Sequence, residues 1–260
     1  MDVYGKDFAD LYNDCWKTFT GRVWPFVWKT VEDLVPGAES WLDLCCGCGW
    51  LLKSICRTGC DAVGLDLSPH QLRHAKKNAP DATLVRADVR SFSLGRTFDV
   101  VTCMFDSLNY LMRKGDLLRA FRRARRHTAE GGCFIFDMNT FEGLADTWRH
   151  TTARHEARRT TIIESSFDAR RAVGRACITW FLKAGRTWRK FEETHLERGY
   201  RRAEIEDLLD LAGFAFRSYD GHRFGRPRKR SPRLLYVCRR RIENLNNTKK
   251  RWAGMNADEH

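Results

Sequence analysis

The most restrictive feature of the sequence is a regular alternation of short apolar runs with amphipathic stretches between residues 39 and 139. The apolar runs have the length and composition of buried strands, and they are ESWLDLCC, DAVGLDLS, ATLVRADV, TFDVVTCMFD and GGCFIFDMN. The stretches between them that have helical spacing are WLLKSICRTG, PHQLRHAKKNA and KGDLLRAFRRARRHT. Strands that alternate with helices at this rhythm are joined by right-handed crossovers in a parallel sheet. The sequence therefore predicts an α/β fold.

The alternation is different at both ends of the chain. Residues 7–35 have apolar residues at helical spacing and are interrupted at Pro25, which predicts two helices or one kinked helix. After residue 145, β-branched and aromatic runs separated by turns predict about three antiparallel strands, at 158–168, 172–183 and 186–197. The α/β pattern then resumes with a predicted helix over 201–214 and a final hairpin.

Composition excludes several classes of protein. With 260 residues and 43% hydrophobic content, the chain can build a substantial core. It has no apolar run long enough to cross a membrane, and MDVYGKDFAD lacks the basic and apolar regions of a secretory signal, so we expect a cytoplasmic protein without membrane association. Several of the ten cysteines lie within apolar runs, where reduced cysteine behaves as a small buried hydrophobe.

The formal charge of +13 is unevenly distributed along the chain. Residues 217–251 carry 13 Lys and Arg against Asp220 and Glu243, a net of +11. Residues 149–190 carry 11 against three acids, a net of +8, so the remaining residues sum to about −6. The basic excess therefore belongs to two late segments, which favours an anionic partner there and not at the first strands.

The loop after the first predicted strand reads LDLCCGCG and has the character of a cofactor loop. Gly47 and Gly49 permit a tight turn and a close backbone approach, and ligands of α/β sheets bind beyond the strand ends. Asp66 ends the second strand, where an acid accepts ribose hydroxyls, and Asp88 ends the third, where it accepts an adenine amino group. A dinucleotide loop requires a third glycine where this chain has Leu52, which leaves S-adenosylmethionine as the predicted ligand.

The cysteines of this loop allow two other interpretations, both weaker. A zinc site needs about four convergent ligands, and neither a second C-x2-C unit nor a histidine pair accompanies Cys45, Cys46 and Cys48. Cys45 and Cys48 have the spacing of a redox pair without a thioredoxin-like context. We therefore predict no metal.

These motifs, in this order, resemble class I S-adenosylmethionine-dependent methyltransferases over nearly all of residues 1–241. LDLCCGCG stands at the family's glycine loop, VGLDLSPHQL at the ribose strand, LVRADVRSF at the adenine strand and FDVVTCMFDSLNYL at the fourth-strand motif. The antiparallel segment is similar to that of small-molecule N- and O-methyltransferases such as the aminosugar and glycine types. Cys45 departs from the family's glycine, and we expect it to adopt ordinary φ and ψ at the strand end.

The resemblance implies a Rossmann-like seven-stranded sheet and a division of the chain. The implied parts are an N-terminal helical lid, 1–36; a cofactor-binding core, 37–145 and 198–241; an antiparallel insertion over the substrate, 146–197; and a basic tail, 242–260. The implied cofactor-binding residues are Tyr4, Trp16, Asp43, Cys46, Gly47, Gly49, Asp66, Leu67, Asp88, Val89, Cys103, Met104 and Phe105. The implied substrate-binding residues are Tyr12, Phe105, Asn109, Asn139 and His195. The implied catalytic residues are His195, Asp106 and Tyr12.

Three hypotheses about the function differ in the methyl acceptor that they require. Nucleic-acid amino methyltransferases of this fold have a D/N-P-P-Y/F stretch after strand four, where this chain reads FDSLNY, so the first hypothesis is methylation of an N or O atom of a small molecule. An acidic small molecule would also satisfy the basic charge. The second hypothesis is an RNA or protein methyltransferase that uses the basic insertion and tail. The third is a non-catalytic regulator that binds S-adenosylmethionine.

Overall fold

The computed structural model describes residue 5, residues 9–11, residue 13 and residues 17–241, so the tail 242–260 lies outside the described residues. The helices are α1 Lys17–Leu34, α2 Trp50–Cys56, α3 Pro69–Asn78, α4 Lys114–His127, α5 Phe141–Thr147 and α6 Arg202–Ala212. The strands are β1 Ser40–Leu44, β2 Asp61–Asp66, β3 Thr83–Arg86, β4 Phe98–Cys103, β5 Thr128–Asn139, β6 Thr151–Glu156, β7 Arg159–Asp168, β8 Val173–Ala184, β9 Thr187–Arg198, β10 Phe214–Asp220 and β11 Arg233–Arg240.

A seven-stranded sheet forms the centre of the molecule, in the order β10-β11-β5-β4-β1-β2-β3. Strands β1 to β5 pair in parallel, whereas β11 is antiparallel to both β5 and β10. The chain builds β1, β2 and β3 toward one edge and then returns to place β4 on the other side of β1. This reversal of strand order is where α/β sheets bind their ligands. The predicted Rossmann-like fold is confirmed.

The strands are apolar on both faces because helices cover both faces. Successive residues of β1 alternate between two hydrophobic clusters: Leu42 packs with Phe121 of α4 on one side, and Trp41 packs with Val27 of α1 on the other. Strand β5 divides in the same way, since Phe134 joins the first cluster and Ile135 the second. Burial on both faces explains the nearly continuous apolar runs in the sequence.

Helix α1 differs from the prediction at Pro25. The sequence predicted an interruption there, but the helix Lys17–Leu34 runs through Pro25, so a division into two helices at this residue is wrong. Proline removes one backbone donor, a cost that the packing of Val23, Val27 and Val31 in the core offsets. None of the described helices is both long enough and apolar enough to cross a membrane.

The second sheet has four antiparallel strands, β6 to β9, and not the predicted three. The missed strand, β6, reads TTARHE and has five exposed residues of six. An edge strand with no buried face has no apolar alternation to reveal it in the sequence. Strand β9 is different, because Glu193, His195 and Glu197 alternate with more exposed residues and point toward the central sheet.

Candidate active site

A cavity of about 550 Å³ opens at the carboxyl ends of β1 to β4. Its wall comes from the ends of these four strands and the loops that follow them, from the first turns of α2 and α3, and from one side of α1. Nine residues predicted to bind the cofactor line it: Asp43, Cys46, Gly47, Asp66, Leu67, Asp88, Val89, Met104 and Phe105. The structure therefore brings together residues that are up to 62 positions apart in the sequence, as the ends of parallel strands require.

The order of the strands sets the order of the groups along the cavity. Asp88 follows β3, Asp66 ends β2, Asp43 lies in β1 and Phe105 follows β4, and these strands are successive neighbours in the sheet. The predicted adenine acceptor, ribose acceptor and methionine site thus follow one another. An aromatic wall completes the far end, where the rings of Phe19 and Phe105 meet edge to face at 4.5 Å between centroids.

Other predicted residues lie elsewhere. Tyr4, Tyr12 and Trp16 lie outside the described residues. Gly49, Cys103, Asp106, Asn109, Asn139 and His195 are not on the cavity wall. The side chains of Asp106, Asn109, Asn139 and His195 make hydrogen bonds to other protein groups, and their direct contact with the substrate stays a prediction.

The glycines of the loop serve two separate purposes. Gly47 has φ of 53° and Gly49 has φ of 77°, both in the left-handed region that glycine adopts without strain. Gly47 lies on the cavity wall. A Cβ on Gly49 would instead stand 2.9 Å from Cα of Ala75, so this glycine permits the close approach of α2 and α3. Gly49 therefore has a packing role, and its contact with the methionine end stays a prediction.

We predicted ordinary backbone angles for Cys45, and this prediction is wrong: its φ is 55°. The family's glycine at this position suits the left-handed conformation, whereas a residue with a Cβ pays about 1–2 kcal/mol for it. The Cys45 thiol hydrogen-bonds the Cys103 thiol, and this contact together with burial raises the pKa of Cys103. Cys45 lies on the cavity wall.

Among the residues that the structure describes, no group of three His, Cys, Asp or Glu is arranged to hold a metal ion. The cysteines of the loop lie in different environments. Cys46 is buried and burial raises the pKa of its thiol, while the Cys48 thiol donates to Oε1 of Gln71 at 2.6 Å. Cys46 and Cys48 therefore act as packed side chains in this loop.

The two acids at the strand ends have different environments. Asp66 accepts backbone hydrogen bonds from Gly47 at 2.9 Å and from Ser68 at 2.8 Å, and burial raises the pKa of its carboxyl. Asp88 pairs with Arg90, whose Nε lies 2.9 Å from Oδ1, and this hydrogen bond lowers the pKa of Asp88. Asp66 thus joins the glycine loop to β2, and Asp88 is a fixed, ionised acceptor at the other end.

Gln71 is a cavity residue that the sequence analysis missed. It is only 1% exposed, and its Nε2 has no hydrogen-bond partner among the described residues. Ser68 caps α3 and places Gln71 on the same buried face as Ala75, four residues later. The signal in the sequence was the polar Gln71 at a helix position where the spacing from Ala75 predicts a buried apolar residue. A buried donor beside the glycine loop and Asp66 suits a polar ligand, so these residues fit S-adenosylmethionine.

Behind the wall, a buried cluster supports the turn after β4. Arg233 pairs with Asp137 and places Nη2 2.8 Å from Oδ2 of Asp106. Asn139 donates to Oδ2 of Asp106 at 2.6 Å and to Oε2 of Glu197 at 2.9 Å. We call Asp106, Asp137, Asn139, Glu197 and Arg233 the arginine cluster.

The arginine cluster explains an unusual backbone. Phe105 and Asp106 have φ of 68° and 47°, a left-handed pair without glycine. The backbone N–H of Phe105 donates to Oδ1 of Asp137 at 2.5 Å, and the Asp106 side chain is held by Arg233 and Asn139. These bonds offset the strain and place the Phe105 ring on the cavity wall.

The buried carboxyl of Asp43 leads us to expect that cofactor binding is coupled to proton release. Burial raises its pKa to about 7, although Thr102 donates a hydrogen bond to its carboxylate at 2.7 Å. A cation nearby favours the ionised form, and the methionine end of S-adenosylmethionine is cationic at about pH 6. Binding is therefore expected to release protons at about pH 6 and to tighten as the pH rises from there to about 7.

Isothermal titration calorimetry in buffers of different ionisation enthalpy measures this release. Asp43→Asn is the matched variant, since it keeps the shape and cannot titrate. We expect it to abolish the buffer dependence of the binding enthalpy. Equal proton release by the wild type and the Asn variant would show that another group is responsible.

Known proteins share both the fold and much of the sequence. Residues 42–132 match the family model of a methyltransferase domain. A dTDP-3-amino-3,4,6-trideoxy-alpha-D-glucopyranose N,N-dimethyltransferase from Streptomyces venezuelae is 33% identical over 232 residues, which are 86% of this chain and 97% of the relative.

Two solved structures extend the comparison. A S-adenosylmethionine-dependent methyltransferase from Clostridium acetobutylicum has a TM-score of 0.77 and 26% identity, covering 90% of this chain and 97% of its own. The sugar N-methyltransferase KedS8 from a Streptoalloteichus species has a TM-score of 0.76 and 25% identity, covering 93% and 97%. With the loop, the acids and the cavity described above, this likeness extends over the cofactor site and the fold. The chain therefore belongs to the class I S-adenosylmethionine-dependent methyltransferases and transfers a methyl group to an N or O atom of a small-molecule acceptor.

Proposed function

We propose that the acceptor is the amino group of a nucleotide-linked amino sugar. The observation that carries this proposal is the similarity to the Streptomyces venezuelae N,N-dimethyltransferase, which extends over 97% of that enzyme at 33% identity. A second relative, a dTDP-3-amino-3,6-dideoxy-alpha-D-glucopyranose N,N-dimethyltransferase from Streptomyces fradiae, is 31% identical over 193 residues. Both act on amines of deoxy sugars attached to a nucleoside diphosphate, according to their names.

The charge distribution supports an anionic acceptor. The loop between β10 and β11, residues 221–232, carries five Lys and Arg and no acid. Strand β10 runs parallel to β5, so this loop leaves the sheet at the same carboxyl edge as the cavity. Arg230 of this loop pairs with Asp146, and the other four basic residues make no ion pair within the described part of the chain. A diphosphate beside this loop would be attracted electrostatically.

The reaction requires a donor, an acceptor and the exclusion of water. Bound S-adenosylmethionine supplies the methyl group on a positively charged sulfur. The residues of this chain hold the adenosine end through Asp66 and Asp88 and present aromatic faces of Phe19 and Phe105 at the other end, where a cation is favoured. Holding donor and acceptor in line accounts for most of the expected rate enhancement in such a displacement.

The test is methyl transfer to a dTDP-linked 3-amino-3,6-dideoxyhexose, followed by mass spectrometry of the sugar nucleotide. We expect addition of one and then two methyl groups with S-adenosylmethionine present. The matched substrate control has a hydroxyl in place of the amine. Equal methylation of both, or turnover of an unrelated small molecule with no turnover of the amino sugar, would contradict the proposal.

A further inference from the structure

Tyr110 is the one tyrosine among the described residues that line the cavity, and its hydroxyl group is hydrogen-bonded to a residue behind the cavity wall. It ends the short 3₁₀ turn Ser107–Tyr110, on the acceptor side of β4. The hydroxyl oxygen lies 2.9 Å from Nδ1 of His195, across 85 residues of sequence. The two rings stand edge to face, 6.0 Å apart between centroids. This contact joins the cavity wall to the inner face of the four-stranded sheet.

His195 has the properties of a fixed acceptor for this hydroxyl. It is 3% exposed, and burial lowers its pKa to about 4, so the imidazole is neutral at neutral pH. Its Nε2 faces Oε1 of Glu193 at 3.7 Å. A carboxylate on that side favours the tautomer with the ring proton on Nε2. The lone pair of Nδ1 can then accept a hydrogen bond. The Tyr110 O–H then donates to Nδ1.

This arrangement determines what Tyr110 can offer to a ligand. A hydroxyl has one proton and two acceptor lone pairs. When the proton is directed to His195, the oxygen can only accept hydrogen bonds in its other directions. An amine can donate a hydrogen bond from an N–H to such an oxygen and keep its own lone pair to attack the methyl carbon.

We propose that Tyr110 contacts the acceptor amine as a hydrogen-bond acceptor and that His195 is the positioning residue that holds the tyrosine proton away from the cavity. The inference rests on the proposed function and names the group that orients its substrate. The amine lone pair forms the new C–N bond while the S–C bond breaks and its electron pair stays on sulfur. The extra proton on nitrogen then passes to water, because a neutral buried imidazole is a weak base.

Four variants test this assignment with the amino-sugar nucleotide. Tyr110→Phe and His195→Leu are each expected to lower kcat/KM for the acceptor about 10-fold, the loss of one oriented hydrogen bond. The double variant should be no worse than Tyr110→Phe, since His195 acts through the tyrosine. His195→Asn, whose Oδ1 can replace Nδ1 as acceptor, should recover most of the activity.

The controls separate orientation from folding and from cofactor binding. Tyr219→Phe removes a hydroxyl from a tyrosine that packs on Phe26 away from the cavity, and it should retain wild-type activity. Affinity for S-adenosylhomocysteine and the Tm should stay near wild type in Tyr110→Phe. Unchanged acceptor kinetics in Tyr110→Phe, additive losses in the double variant, or a loss confined to cofactor affinity would each overturn the assignment.

A measurement without turnover keeps this inference separate from the proposed function. Nitrogen-15 NMR of the His195 ring in the wild-type protein should show a proton on Nε2 at about pH 7, with Nδ1 as a hydrogen-bonded acceptor that changes in Tyr110→Phe. If the wild type fails to methylate the amino sugar but shows this tautomer, the proposed function fails and the geometry stands. A proton on Nδ1 would overturn the inference even in an active enzyme.

Discussion

Asp66→Ala is expected to lower the affinity for S-adenosylmethionine by at least about 100-fold. Asp66 lies on the cavity wall at the end of β2, where we expect it to accept hydrogen bonds from the ribose hydroxyls. A hydrogen bond to a charged acceptor contributes roughly 1.5–3 kcal/mol, so loss of two ribose contacts amounts to roughly 3–6 kcal/mol. That corresponds to an affinity loss of about two to four orders of magnitude.

The same substitution should affect two cofactor forms equally. S-adenosylmethionine and S-adenosylhomocysteine share the ribose and differ at sulfur, so a ribose contact predicts the same fold-loss for both. Calorimetry with each ligand measures this. The matched control is Asp61→Ala, because Asp61 begins the same strand, pairs with Arg96 and lies away from the cavity. Binding by Asp66→Ala within threefold of the wild type would disprove the cofactor assignment.

The loss of Asp66 also removes two hydrogen bonds within the protein. The backbone N–H groups of Gly47 and Ser68 donate to its carboxylate, so the loop after β1 is joined to the loop after β2 through this side chain. Thermal denaturation of the free variant therefore belongs with the binding measurement. Asp66→Asn keeps one oxygen acceptor, and it should lie between the wild type and Asp66→Ala in both assays.

Arg233→Met is expected to lower the free energy of unfolding by about 3–5 kcal/mol. Arg233 is the cation of the arginine cluster, and its removal would leave the carboxylates of Asp106 and Asp137 buried without their main partner. Urea denaturation followed by circular dichroism measures the change. Arg230→Met is the matched control: Arg230 is 67% exposed and pairs with Asp146, so its loss should cost at most about 1 kcal/mol.

The pH dependence of this destabilisation has a definite sign. Burial raises the pKa of Asp137 above its ordinary value, while Arg233 opposes that rise. Such a carboxyl holds its proton more tightly in the folded state, so stability falls as the pH rises from the unfolded pKa to the folded pKa. Without Arg233 the folded pKa is higher and this window extends upward. The variant should therefore lose more stability at neutral than at acidic pH, and the opposite trend would refute the pairing.

The arginine cluster also determines the shape of the acceptor side. Phe105 and Asp106 adopt left-handed angles because the cluster holds their backbone and side chain. In Arg233→Met, the turn after β4 is expected to relax and move the Phe105 ring from the wall. Asp106 and Asn139 support this turn through their hydrogen bonds, and we expect them to affect catalysis through it.

Residues at strand ends were predictable, and residues that meet across the fold were not. The end of a strand is a local signal, so Asp66 and Asp88 were identified from the ends of apolar runs, whereas the family resemblance implied Asp43 and Leu67. Tyr110 and His195 are 85 positions apart, and Asp106 and Arg233 are 127 apart. No local periodicity reports such contacts, which depend on how the second sheet and β11 pack against the turn after β4.

The amino-acid sequence by itself determined the parallel sheet, the position of the cofactor loop and the acids beside it, because alternating burial and glycine turns are encoded over a few residues. Tertiary structure alone decided which polar groups line the cavity and which support it from behind. It also placed Cys45 in a left-handed conformation and Gly49 against Ala75. The physical reason is that these properties arise from close packing and charge pairing between segments distant in the chain.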